Sequence, residues 1–468
     1  MINYYKNIIT DFETFQNTLP DSNKSILYSF AFKFDGINWS SFINRAVAEY
    51  SDLFFFRSAN KQQTLIGVNS ALILQPNDAA SFNSVSKNLN HWRKNFHNNW
   101  DKTNKQTVPI IFCAAKFDPN NSSSLWQDFP PIRVFIPEFI IEIKKDDAFG
   151  YFNFTLEKNI DSKSLSDKLF SYLNSLEDLV KQNNDVLTEI SSVNFDDKKN
   201  FSEWSSIFKK AFGFLNEREI KKIVLSKTFN LKIDNSINWN NIIEKLNNRF
   251  PDCYLFLIKK NNSIFFGSSP EMFLKVSDNI AEVESVAGSA ARSKQIESDQ
   301  ALEEFLKMSE KNIKEHTMVS DYISDILIKF SNNVKIIEEK QIRKLDNIQH
   351  LITRISAKLH SEINVFELID ELFPTPAVCG VPKEKAKQII KNLESHDRGL
   401  YSGLVGVFDF EKNCELAVAI RSALVKDNLL TAFAGAGIIS DSDAKEEFLE
   451  IKLKLDTILS LFTHENKS

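Results

Sequence analysis

Short apolar runs separated by polar turns dominate the chain to about Ile160: SDLFFFRS, TLIGVNSALIL, VPIIFCAAKF and RVFIPEFIIEI, with DPNNSSS among the turns. Runs of this length, rich in aromatic and β-branched residues, read as antiparallel strands. The pattern then changes. SDKLFSYLNSLEDLVKQ has helical spacing, and the polar stretch SSVNFDDKKN beyond it marks a boundary between a strand-rich half, residues 1–190, and a second half, residues 195–468.

From Phe201 onward the two periodicities alternate. FSEWSSIFKKAFGFL and NWNNIIEKLNNRF read as helices around the strand KIVLSKTFNLKI, and CYLFLIKK, SIFFGSS and MFLKV as short strands. After AEVESVAGS the spacing predicts one long helix to about Phe330, strands near Val334 and Leu351, and helices from Asn364 and Lys383. LVGVFDF, ELAVAIRSALV and LLTAFAGAGI follow as strands, and a last helix begins near Asp443. Helices interspersed with strand pairs on short turns predict an α+β fold rather than a doubly wound parallel sheet.

The totals narrow the function. At 468 residues the chain is long enough for two domains or one large duplicated unit, and 43% hydrophobic with 25% charged residues is an ordinary globular balance. A net charge of -5 supplies no basic field for phosphates, which argues against a nucleic-acid partner. Cys113, Cys253, Cys379 and Cys414 are scattered, without CxxC spacing, so reduced thiols and a cytoplasmic location are expected. The start, MINYYKNIITDFETF, lacks signal-peptide layout, and no apolar run approaches the roughly 20 residues of a membrane helix.

Some charged residues fall where solvation does not explain them. In DAKEEFLEIKLKLDTILSLF the apolar stripe is Phe448, Ile451, Leu455, Ile458 and Phe462, which places Glu447, Glu450 and Lys454 together at its margin. From that helix alone a solvated ion-pair face is the ordinary explanation. In KEHTMVSDYISDIL, however, the residue four before Val319 on the buried stripe is Glu315. A carboxylate on a buried stripe must be protonated, paired or metal-bound, and two such glutamates from separate helices suit Mg²⁺, which takes few carboxylates and completes its shell with water and substrate oxygens. AIRSAL puts Arg421 inside an apolar strand, and AFAGAGI puts Gly435 and Gly437 after one, where backbone amides can meet an anion or simply turn. Lys222 at the head of KIVLSK, Glu271 in SSPEMFL and His350 in IQHLITRI each have a plain structural explanation when taken singly.

Taken in order, the blocks KIVLSK, FFGSSPEMFL, VESVAGSAARS, KEHTMVSDYI, IQHLITRI, FPTPAVCGVPKEKA, HDRGLYSGLVG, AIRSAL, AFAGAGI and EEFLEIKLK resemble the chorismate-utilising enzymes, most closely the isochorismate synthases. They cover the chain densely from Lys222 onward; the first half is similar more loosely. The resemblance implies one compact unit of four layers, αββα, with two antiparallel sheets face to face, as in anthranilate synthase component I and aminodeoxychorismate synthase. It implies Lys222 as general base and Glu271 as general acid, with Glu315, Glu450 and Glu447 at a Mg²⁺ site. It implies substrate contacts from Arg421, Tyr401, Gly435, Lys454, His350, Ser289 and Ala377. The expected reaction converts chorismate to isochorismate by adding water at the ring 2-position as the 4-hydroxyl leaves, which requires the pKa values of base and acid to shift in opposite directions.

Menaquinone synthesis is the expected destination, with catechol siderophores as the alternative. Ala377, where relatives that eliminate pyruvate or use ammonia usually carry threonine, points away from a salicylate synthase and from dependence on an amidotransferase. A monomer is the family habit. Phe373 departs from the common pattern, which has histidine there.

Overall fold

The computed structural model describes residues 2–19, 25–34, 39–76, 81–100, 109–121, 123–145, 147–155, 162–177, 197–233 and 237–462. The boundary expected between residues 190 and 195 lies outside them. Among the described residues the strands form two sheets, one of twelve strands and one of nine. In the larger, strands of the second half run from Gly380–Val381 at the edge through Lys222–Lys232, Leu429–Ile438, Ser422–Lys426 and Ser263–Ser269 to Tyr254–Lys260. There Asp52–Arg57 takes over, antiparallel from Leu255 opposite Arg57 to Lys260 opposite Asp52, and the first half completes the sheet. The smaller sheet is joined in the same way, Leu404–Phe408 pairing with Ile111–Ala115. Among the described pairs the single parallel one is at an edge, Leu27–Ser29 with Phe96–Asn98.

Uninterrupted apolar runs form these strands because both faces of each sheet are covered. Along DLFFFR, Leu53 and Phe55 face a core under helices that include Asp197–Asn216, Trp239–Arg249 and Ala444–Leu459, whereas Phe54 and Phe56 face the second sheet. Ile111, Cys113 and Ala115 likewise face helices Glu310–Phe330 and Val365–Leu372, while Phe112 and Ala114 face the first sheet. Phe54 meets Phe112 and Phe135 across the gap with ring centroids 5.0 and 6.1 Å apart. The layer order is therefore helix, sheet, sheet, helix, and truncating a central aromatic such as Phe54 would cost about 3–5 kcal/mol. All four cysteines are buried and unpaired, and no helix of the described residues is long and apolar enough to cross a membrane.

Three elements differ from the sequence expectation. The long helix to Phe330 is two helices, Ile296–Met308 and Glu310–Phe330, because Ser309 leaves helical geometry (ψ 111°) and its side chain accepts from Asn312 N as an N-cap. ELAVAIRSALV is not one strand: Cys414–Val418 belongs to the smaller sheet and Ser422–Lys426 to the larger, with Arg421 in the crossover between them. Gly435 and Gly437 lie inside Leu429–Ile438, opposite Ser226 and Val224, and not beyond its end. The second was hidden because a buried stretch stays apolar across the change of sheet, so periodicity alone does not mark it.

Candidate active site

The chain changes sheets twice at almost one point. Glu271 falls between Ser263–Ser269 of the larger sheet and Met272–Ser277 of the smaller, and Arg421 falls in the reverse crossover. The two crossovers are hydrogen-bonded to each other, Val418 N donating to Glu271 O (3.1 Å) and Ser268 N to Arg421 O (3.1 Å). Beside them opens a cavity whose walls include ten of the twelve candidate residues: Glu271, Ser289, Glu315, His350, Ala377, Tyr401, Arg421, Gly435, Glu450 and Lys454. Lys222 and Glu447 lie just behind the wall. Lys222, wholly buried at the start of its strand, has Nζ 3.0 Å from Glu315 Oε1. The two atoms are close enough to attract but not aligned as a hydrogen bond. Gly437 makes that approach possible, since a Cβ there would stand 2.2 Å from Glu315 Oε1.

Glu271 is 3% exposed, and burial, reinforced by Glu284 and opposed by Lys222, raises its carboxyl pKa to about 8. At neutral pH it therefore carries its proton. Arg421 takes a positive φ of 51°, and burial pulls its pKa down to about 10. Its Nη2 lies 3.0 Å from His350 Nε2, and no carboxylate among the described residues is within ion-pair distance of it. Since arginine only donates, Nε2 accepts; neutral His350, held far below its usual pKa by burial and then by Arg421, keeps its proton on Nδ1. Nδ1 then donates to Ser289 Oγ (3.1 Å), and Ser289 Oγ donates to Glu450 Oε1 (3.1 Å). Lys454 closes the relay, with Nζ 2.6 Å from Glu450 Oε1 and donating to Gly435 O at 3.0 Å. Tyr401 stacks on Phe433 at 5.1 Å, its hydroxyl beside Gly435 and its pKa pushed up to about 12 by burial.

The three glutamates expected at a metal are each paired with a lysine. Glu315 has Lys222, Glu450 has Lys454, and Glu447 has Lys311 at 2.5 Å. Burial and then the neighbouring Glu450 push Glu447 up, whereas Lys454, against the effect of burial, holds Glu450 down. Among the described residues no three carboxylates, imidazoles or thiolates close into a ready-made metal cage. The donor set nevertheless fits Mg²⁺: hard oxygen ligands, two of them on the cavity wall, leave the remaining positions to water and a bound carboxylate.

Sequence reasoning missed the residues that hold this arrangement. Lys311 is one helical turn before Glu315, a spacing at which its proximity to the acidic group was readable. Arg398 left no such signal. Buried, it donates to Val378 O (2.8 Å) and Val224 O (2.7 Å) and grips Glu394 through Nε (2.9 Å) and Nη2 (2.6 Å), which ties the loop carrying Ala377 to the strand carrying Lys222. Phe373 lines no part of the cavity and packs edge-on against Phe273, with ring centroids 5.9 Å apart.

This geometry and the comparisons agree on the class: the chain belongs to the chorismate binding enzyme family, which matches residues 13–463. Within it the chain is 26% identical over 454 residues to isochorismate synthase MenF of Bacillus subtilis, covering 95% of each. It is 32% identical over 333 residues to isochorismate synthase MenF of Haemophilus influenzae, covering 70% of this chain and 75% of that one. The solved structure of MenF, the menaquinone-specific isochorismate synthase from Escherichia coli, superposes with a TM-score of 0.77 at 20% identity, over 97% of this chain and 99% of that one, and establishes the fold.

Proposed function

We propose that the protein is a Mg²⁺-dependent isochorismate synthase serving menaquinone synthesis, working in the cytoplasm as a monomer without an amidotransferase. The observation that carries the proposal is the presence in one cavity of a buried carboxyl, Glu271, whose pKa burial raises to about 8, and a buried arginine, Arg421, that meets no carboxylate among the described residues. Chorismate has two carboxylates and a hydroxyl that must leave as water. Arg421 suits the enolpyruvyl carboxylate, which it can grip with the part of its fork not turned to His350. Lys222, in its neutral form, takes a proton from the water that bonds to the ring 2-position; the ring double bonds shift, the bond to the 4-hydroxyl breaks, and Glu271 supplies the proton with which that hydroxyl departs. Atoms balance, and the product is an isomer of the substrate.

Glu315, Glu450 and Glu447 are the residues that would hold Mg²⁺, whose chemistry here is neutralisation of the ring carboxylate. The Bacillus subtilis relative shares the name MenF with the menaquinone-specific Escherichia coli enzyme, and similarity to it along 95% of the chain supports the menaquinone assignment. The test is chromatography of chorismate incubated with purified protein, with and without Mg²⁺ and without ammonia. Isochorismate formed only with Mg²⁺ is the expected result. Salicylate with pyruvate would overturn the part assigned to Ala377, and no turnover by a folded protein would overturn the proposal.

A further inference from the structure

We infer that Glu284 and Arg343 form a two-point clamp on the backbone either side of Glu271 and act as positioning residues for its carboxyl; the inference rests on the acid role proposed for Glu271. Glu284, 4% exposed, accepts from both terminal nitrogens of Arg343 at 2.7 Å, the planar fork-to-carboxylate arrangement. Each partner also holds one neighbour of Glu271. Arg343 Nη1 donates to Pro270 O, and Met272 N donates to Glu284 Oε2 at 3.3 Å. Arg354 Nη2, 3.1 Å from Glu284 Oε1, secures the carboxylate from a third side.

The need for a clamp follows from the topology. Glu271 sits where the chain leaves one sheet for the other: the strand of the larger sheet ends at Ser269 and the ladder of the smaller begins at Met272, opposite Ala417, so Pro270 and Glu271 fall between the two. The strand that delivers Arg343 has little other purpose in the core. Val334–Lys344 is an edge strand exposed along most of its length, with Ile336 54% and Ile337 49% exposed, yet its Arg343 end reaches in to the crossover. An ion pair drawn out of water carries a desolvation cost that an exposed edge strand does not need for its own packing.

Glu271 feels charge from every side: Lys222 from its strand, Lys454 from the last helix, Arg421 from the opposite crossover, and the two clamp residues with opposite signs. The clamp therefore makes a prediction that loosened structure alone does not. In the full-length protein, Glu284→Gln and Arg343→Lys should each lower kcat roughly 10- to 100-fold with KM for chorismate changed less than about 3-fold. Glu284→Gln removes a negative neighbour and should move the alkaline limb of kcat/KM to lower pH; Arg343→Met removes a positive one and should move it to higher pH. Hydrogen exchange at the Met272 amide should quicken in Glu284→Gln, whatever the activity, because that amide loses its charged acceptor.

Unchanged exchange at Met272 would overturn the clamp. Faster exchange with kcat and the alkaline limb unmoved would overturn its positioning role. Wild-type protein that makes no isochorismate would instead sink the acid role of Glu271, while the exchange result still decides the clamp. If Arg343→Met does not fold, the limb shift in Glu284→Gln and the kcat loss in Arg343→Lys suffice to decide.

Discussion

Replacing Glu271 by glutamine should abolish turnover and at the same time make the protein more stable, by an amount that depends on pH. The carboxyl pKa is raised from 4.5 to about 8 in the fold. Above the unfolded value the unfolded chain releases this proton and the folded protein does not, so unfolding is progressively favoured as pH rises. The stability contribution is fully present below about pH 4.5 and is lost up to about pH 8, where the loss levels off. Each pH unit in that window is worth about 1.4 kcal/mol, so the cost is on the order of 3 kcal/mol at pH 7 and about 5 kcal/mol at pH 8. Glutamine has nearly the shape of the protonated acid and cannot ionise. Thermal unfolding of wild type and Glu271→Gln, run between pH 5 and 9, should therefore show a gap that widens with pH. At roughly 1–2 °C per kcal/mol for a chain of this size, it should reach several degrees by pH 8. The pH-dependent part of the gap isolates ionisation from any packing change. A gap that does not vary with pH would refute the raised pKa, and activity in the glutamine variant would refute the acid role. The same pKa predicts that wild-type kcat/KM falls above about pH 8, as the proton is lost.

Gly437→Ala would place a methyl 2.2 Å from Glu315 Oε1; displacing that carboxylate should weaken Mg²⁺ binding ~10- to 100-fold, measured by calorimetry as well as by Mg²⁺ titration of activity. Arg421→Lys keeps the charge but loses the fork, and KM for chorismate should rise roughly 30- to 100-fold, the equivalent of about 2–3 kcal/mol. Ala377→Thr should release pyruvate that wild type does not, followed by coupling to lactate dehydrogenase; an unchanged product would remove Ala377 from the control of specificity.

The fold class was readable because strands covered on both faces must be continuous apolar runs, and helices on the outside must keep one apolar stripe. Glu315 and Glu450 were readable for a related reason, being charges set on or beside such stripes. Layer order was not, since SDLFFFRS says that Phe54 and Phe55 are both buried and nothing about which sheet or helix each one meets. Arg421 was noticed as a charge in an apolar run, but its position in a crossover, with φ at 51°, depends on two strands belonging to different sheets. The roles of Glu284, Arg343 and Arg398 were out of reach for a further reason. Most of their partners are backbone atoms and carboxylates distant in sequence, as with Arg398 Nη2 and Val224 O, 174 residues apart, and the nearby Glu394 that Arg398 grips lies beyond the end of helix Lys383–Leu393, so local pattern does not encode these pairings.

The first half of the chain supplies none of the described cavity wall, which runs from Val224 to Lys454. What it supplies is two borders. Without Asp52–Arg57 and Ile111–Ala115, the strands Tyr254–Lys260 and Leu404–Phe408 would each present a row of unpaired N–H and C=O groups along a largely or wholly buried apolar segment. Such borders are templates for pairing with other chains. During synthesis the first half emerges with its own borders open and must wait for Tyr254 and then Leu404 to leave the ribosome before either is covered. The nascent protein thus passes through a long adhesive stage in which holdase chaperones have a natural target, and a fragment that retains every catalytic residue but starts near Phe201 should precipitate rather than catalyse.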